Sequence, residues 1–253
     1  MFNYAIAAKP GSPVSLSDLQ TMVDAVGTLS NAFCDGWGID GFAGTVLSAV
    51  PTKPTRHSIV FTWQGDDANV PGAEGFHDEQ NGVPYAELFW NPVLQNGGGI
   101  LDGGSAGVSC ASVFAHELFE TIVDEYVNDW IMMRDGRFIA KEVCDPVQMV
   151  PMMVNLGGKS IMLSDAVFPR YFDNQAPTDG SVKFSLSGKA VAPLQLLPGG
   201  YQIIFDPARI HSRRGPVVNV WGATVPEWVI EMKMAKMASR TNKRARALLA
   251  AYV

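Results

Sequence analysis

Apolar and polar positions alternate through residues 2–8, which predicts a first strand, and Lys9-Pro10-Gly11-Ser12-Pro13 ends it. The spacing then becomes helical. Leu16, Leu19, Val23, Val26 and Leu29 or Ser30 fall on one face, and Ser15 or Ser17 is placed to cap the start. A glycine-rich connection over 36–44 leads to two β-branched or aromatic runs, 45–50 and 57–63, that read as strands. Residues 65–75 are polar and predict a loop, whereas 85–91 (YAELFWN) alternate and stop at Pro92 as a further strand. Gly97, Gly98, Gly99, Gly103 and Gly104 mark a loop before a helix that is apolar on almost every side. Short strands are predicted beyond it at 137–143, 160–163 and 181–187, with a hairpin-like segment at 198–205. A last helix runs from about 225, where Thr224 and Glu227 have capping-box spacing and Pro226 sits in the first turn. The sum is an α+β chain: a lobe over 1–107, a central helix opening an irregular second lobe over 108–224, and a terminal helix over 225–253.

Composition narrows the class without changing this outline. A chain of 253 residues with 47% apolar content has too much core material for disorder or for a disulfide-stapled miniprotein. No run approaches the roughly 18 to 20 apolar residues that a membrane span needs. The N-terminus lacks a basic stretch before its apolar run, so no secretory signal is predicted and synthesis in the cytoplasm is expected, with a virion location open. Cys34, Cys110 and Cys144 are odd in number and unrelated in spacing, which favours free thiols. The methionines at 132, 133, 149, 152 and 153 read as adaptable packing.

Charge is more informative in its distribution than in its total. The net value is −6, yet Lys233, Lys236, Arg240, Lys243, Arg244 and Arg246 are accompanied by no acid after Met232, which leaves 13 basic against 25 acidic residues before it. An acidic body therefore carries a basic end. Trp228, Met232, Ala235, Leu249 and Tyr252 can form an apolar stripe among those cations. The helix can dock on the acidic body, or serve as an arm for a second copy, a virion partner or an anionic surface. Nucleic acid is the weaker reading, since no aromatic residue interleaves with Lys243, Arg244 and Arg246.

The central helix contains His116, Glu117 and Glu120 in otherwise apolar surroundings. Burying such groups without partners costs several kcal/mol each, so they must be paired, metal-bound or turned to a wet cleft. Positions 116 and 120 share one face at i and i+4, and position 117 lies about 100° round from 116. Two side chains so placed can hold a metal while the Glu between them reaches a metal-bound water.

The segment His116-Glu117-Leu118-Phe119-Glu120 resembles the HExxH helix of zincin metallopeptidases, with Glu in place of the second His. Glu142-Val143-Cys144-Asp145 stands where the gluzincin branch carries a third ligand and a following Asp. FHDEQNGVPYAELFWNP, the SxxxAHELFE helix, KEVCDP and LPGGYQIIF are also similar to uncharacterised bacterial and phage proteins with an HExxE core. The resemblance covers about 55–205 and implies a zincin-like fold with a mixed twisted sheet. It further implies Zn2+, or another divalent cation, on His116, Glu120 and Glu142, with Glu117 as general base. Asp145 would orient His116 from behind the metal, and Asp124 would add a carboxylate near that face. The strand over 85–91, with Tyr85, Glu87 and Phe89, would be the sheet edge that aligns a peptide substrate.

Glu at position 120 changes the chemistry. One His and two carboxylates make a neutral divalent site, so Lewis acidity falls and harder cations compete. Two functions remain open on this reading: a metal-dependent peptidase or other hydrolase acting on a peptide bond, and a catalytically weak structural protein such as a virion component. The same polar residues also fit a buried network that orders two lobes, and Asp145-Pro146 fits a plain turn after a strand. His77 and His211 are each placed to reach a cleft as an alternative ligand or donor.

Overall fold

In the computed structural model, which describes residues 1–51, 59–80, 82–210, 216–222 and 229–230, the first alternating stretch forms β1 (Phe2–Ala8). Helix α1 (Leu16–Gly27) starts at Ser15, whose side chain accepts from the Asp18 N–H at 3.2 Å while the Asp18 carboxylate accepts from the Ser15 N–H at 3.0 Å. Its buried face is Leu19, Met22, Ala25 and Val26, and Leu16 stays exposed, so the apolar stripe lies slightly round from the predicted one. The glycine-rich connection is partly helical. Helix α2 (Ser30–Trp37) ends at Gly38, whose φ of +64° suits a residue without Cβ.

Strands β2 (Phe42–Val46), β3 (Ile59–Gln64), β4 (Gly75–Gln80) and β5 (Val83–Phe89) join β1 in one sheet of order β2-β1-β3-β5-β4. All pairs are parallel except β4 with β5. This corrects the expectation for residues 85–91. Strand β5 is hydrogen-bonded on both sides, to β3 and to β4, so Tyr85, Glu87 and Phe89 have no free edge to offer a peptide. The edge on that side belongs to β4, of which only Gly75 falls in the predicted loop and the rest has no predicted element. The β5 pattern also stops earlier than expected, and Trp90 opens the short helix α3 (Trp90–Gln95).

Helix α4 (Cys110–Val123) is capped by Ser109, which accepts from the Ser112 N–H at 2.9 Å and donates to the Met162 carbonyl at 3.0 Å. It lies against β4, β5, α1 and the later strand β9 (Lys159–Ser164). Aromatic rings fill the space beneath it: Phe119 stacks on Phe33 at 4.4 Å between centroids, and Phe114 meets Phe61 edge-on at 5.5 Å.

After α4 come β6 (Trp130–Met132), β7 (Phe138–Ala140), and the hairpin β8 (Pro151–Leu156) and β9 (Lys159–Ser164). Strands β10 (Tyr201–Ile210) and β11 (Pro216–Gly222) complete a second sheet, β11-β10-β7-β6. The predicted strand at 181–187 does not form; a single bridge joins Val167 and Ser185, and Asp165 takes the Ser187 N–H. One apolar core nevertheless runs from Tyr4 to Ile204, drawing on both predicted lobes. The architecture is thus α+β with a mixed sheet. All three cysteines are free and buried. No helix among the described residues is long and apolar enough to cross a membrane. His211 and the cations from Lys233 to Arg246 lie outside the described residues.

Candidate metal centre

Three backbone segments converge on one end of α4. The helix contributes His116, which is partly exposed, and Glu117 and Glu120, which are buried. Strand β4 crosses close by because it begins with glycine: a Cβ on Gly75 would lie 3.0 Å from both Glu117 Oε1 and Val113 Cγ1. That approach delivers His77, itself 3% exposed, to the helix. The turn after β7 supplies Glu142 and Asp145, both buried, with Asp145 opening a single 3-10 turn (Asp145–Val147). The Cys144 N–H donates to Glu120 Oε1 at 3.1 Å and so ties turn to helix. Gly200, whose Cβ would strike the Pro146 carbonyl, lets the start of β10 fold over this turn and place Tyr201 against Asp145.

The donor atoms fall into two groups that share Glu120. Glu120 Oε2 lies 3.4 Å from His116 Nε2, and Asp145 Oδ1 lies 3.4 Å from the same nitrogen. On the other side, His77 Nδ1 lies 3.2 Å from Glu117 Oε2 and 3.7 Å from Glu120 Oε2. Within each group the atoms lie within 4.8 Å of one another, so each can hold a metal ion. Strong charge-assisted hydrogen bonds are shorter, about 2.7–2.9 Å. Ligand atoms about 2.0–2.2 Å from a tetrahedral ion stand about 3.3–3.6 Å apart, which is close to the spacing found here.

Electrostatics agree with geometry. The groups line a cavity of about 400 Å³ that also exposes Glu74, Glu142 and Tyr201, and no lysine or arginine is among its described lining residues. Burial and then the charge of Glu120 push the Asp145 carboxyl up to about 6. Burial opposes protonation of His116, but the charge of Glu120 and the hydrogen bond with Asp145 outweigh it and hold that imidazole well above its ordinary value. The Tyr201 phenol is raised by burial and by Asp145.

The structure brings together His116, Glu117, Glu120, Glu142, Asp145 and His77 around one cavity. Asp145 shares His116 Nε2 with Glu120, so it stands as a third donor in that group and does not hold the ring from behind. Glu142 lines the cavity but belongs to neither close group. Asp124 is elsewhere: its carboxylate accepts from the Asn128 and Asp129 N–H groups and closes the turn after α4, away from the cavity lining. Glu87 sits in the sheet, accepting from Gln64 Nε2 at 2.7 Å, and Phe89 is in the core. Tyr201 carried no assigned role in the sequence; a lone tyrosine after Gly-Gly gives no signal of its partner 56 positions earlier.

In comparisons with known proteins, no family model, no curated protein and no solved structure matches the chain.

Proposed function

We propose that the protein is a divalent-metal-dependent hydrolase, and within that class a peptidase of zincin type. One observation carries the reading: four buried carboxylates, Glu117, Glu120, Glu142 and Asp145, meet two histidines in a cavity lined by no described lysine or arginine. Such a burden of buried negative charge is sustained by protons or by a cation. His116, Glu120 and Asp145 would hold the ion, with Glu142 near enough to the cavity to complete or exchange with that set. When bound, a divalent cation polarises a carbonyl and acidifies water.

The chain's own residues supply the remaining parts. Glu117 follows His116 on the helix and faces the same cavity, so it can take a proton from an attacking water and pass it to the leaving amine. Tyr201, raised in pKa and hydrogen-bonded to Asp145, remains a neutral donor at the cavity wall. Strand β4 is one edge of the sheet, and its residues from Gly75 to His77 line the cavity. An extended peptide added to that edge would run past the proposed base. The carboxylate-rich donor set suits Zn2+ less exclusively than a two-histidine set and admits harder ions such as Mn2+.

The test is metal analysis of the full chain together with turnover of a peptide library. Bound cation with hydrolysis that falls at least about a hundredfold in Glu117→Gln supports the reading. Bound cation without hydrolysis under any divalent metal would leave a non-catalytic protein, the alternative that the Glu at position 120 favours by weakening Lewis acidity.

A further inference from the structure

We propose that the cavity takes a second divalent cation, held by His77 Nδ1 and the carboxylates of Glu117 and Glu120, so that Glu120 is shared between two adjacent ions. The proposal rests on the metal-dependent reading above and deepens it. Its basis is the duplication of the donor geometry. His116, Glu120 and Asp145 form one close group, and His77, Glu117 and Glu120 form another, each with donor atoms inside 4.8 Å. Glu120 Oε1 is fixed by the Cys144 N–H, which leaves Oε2 between the two histidine nitrogens, 3.4 Å from one and 3.7 Å from the other. In two-metal sites the ions stand about 3.5–4 Å apart and commonly share a bridging oxygen ligand.

Two further observations point the same way. His77 is almost wholly buried, and its Nε2 has no hydrogen-bond partner among the described residues, so the ring is oriented by the carboxylates at Nδ1. Charge also balances better. Glu117, Glu120, Glu142 and Asp145 carry four negative charges when ionised, and two divalent cations match them where one leaves half uncompensated.

The second ion has a functional consequence. With only the His116 group filled, Glu117 keeps a lone pair for the proton of an attacking water. With the His77 group filled as well, Glu117 becomes a ligand and that base is lost. Activity should therefore rise with the first equivalent of metal and fall with the second, which makes the His77 group an inhibitory, metal-sensing site.

Metal stoichiometry tests this directly. The full chain, stripped with chelator, is dialysed against Zn2+ or Mn2+ and the bound ions are counted. Two per chain are expected in the wild type and one in His77→Gln. In case His77→Gln does not fold, the wild type loaded with two equivalents of Mn2+ is read by electron paramagnetic resonance, where a spin-coupled pair is expected. One ion in the wild type, two in folded His77→Gln, or only isolated-ion Mn2+ signals would overturn the proposal. A single ion with Glu117-dependent turnover would sink the second site and leave the hydrolase reading standing; no bound ion would sink both.

Discussion

Glu120 is the residue on which the site turns. One carboxylate oxygen accepts from the backbone of the 142–145 turn, and the other faces both histidines. Its neighbour in consequence is Tyr201, whose hydroxyl donates to Asp145 and offsets part of the charge crowding there. Replacing Tyr201 with Phe should raise the Asp145 pKa further above 6 and weaken metal binding by about ten- to a hundredfold, the usual scale for losing a partner of a ligand. Isothermal titration with Zn2+ at neutral pH would show it, and unchanged affinity would count against Asp145 as a ligand. The sequence marked His116, Glu117 and Glu120 because ionisable groups interrupt an apolar helix at ligand spacing. The resemblance put Glu142 on the metal and Asp145 behind His116, but the two lie on one turn three residues apart and only its fold decides which carboxylate meets Nε2.

Among the elements, α4 and β4 set the cavity's width. Gly75 is the contact point, and adding a methyl there forces Glu117 and Val113 to give way. Gly75→Ala should cost about 1–3 kcal/mol in chemical denaturation and reduce metal affinity as well. Loss of stability with unaltered affinity would mean that β4 does not define the site. Ser109 anchors the other end of α4, capping the helix and reaching the Met162 carbonyl on β9. Ser109→Ala should therefore cost about 2 kcal/mol, more than a simple cap, because the Met162 carbonyl also loses its donor. Helix α4 was legible because its apolar run and length are unambiguous. Strand β4 was not, because Phe76-His77-Asp78-Glu79-Gln80 is mostly polar and is stabilised by pairing with β5. A local signal did exist in the sequence, since Asn-Gly between two strand-like runs is a hairpin dipeptide, and Gln80 pairs with Val83.

At the scale of the whole molecule, the buried site couples metal, protons and stability. Asp145 in the folded chain titrates near 6 against an ordinary 3.8, so its contribution to stability is present below 3.8 and lost as pH rises through 6. His116 acts in the same sense, with its contribution lost as pH climbs through a value well above 6.5. A cation competes with those protons and restores what deprotonation removes. Melting curves with and without Zn2+ between pH 5.5 and 8 should show a stabilising increment that grows with pH. At about a hundredfold excess over Kd it should reach about 2.7 kcal/mol, or roughly 5–10 °C for a chain of this size. An increment that shrinks with rising pH would contradict ligation by these groups.

Sequence alone determined the features that depend on local periodicity: β1, α1 with a cap at Ser15 or Ser17, α4, and the ligand spacing on α4. It also determined that the strand 181–187 looks plausible, because alternation cannot report whether a pairing partner exists. Tertiary structure decided everything that depends on which segments meet. It put β5 inside the sheet and β4 at its edge, turned Asp124 away to close a turn, and brought His77 and Tyr201 to carboxylates far away in the chain. The physical reason is that a helix fixes the geometry of its own side chains through i to i+4 spacing, while partners across the fold are chosen by packing and backbone pairing, which no local pattern encodes.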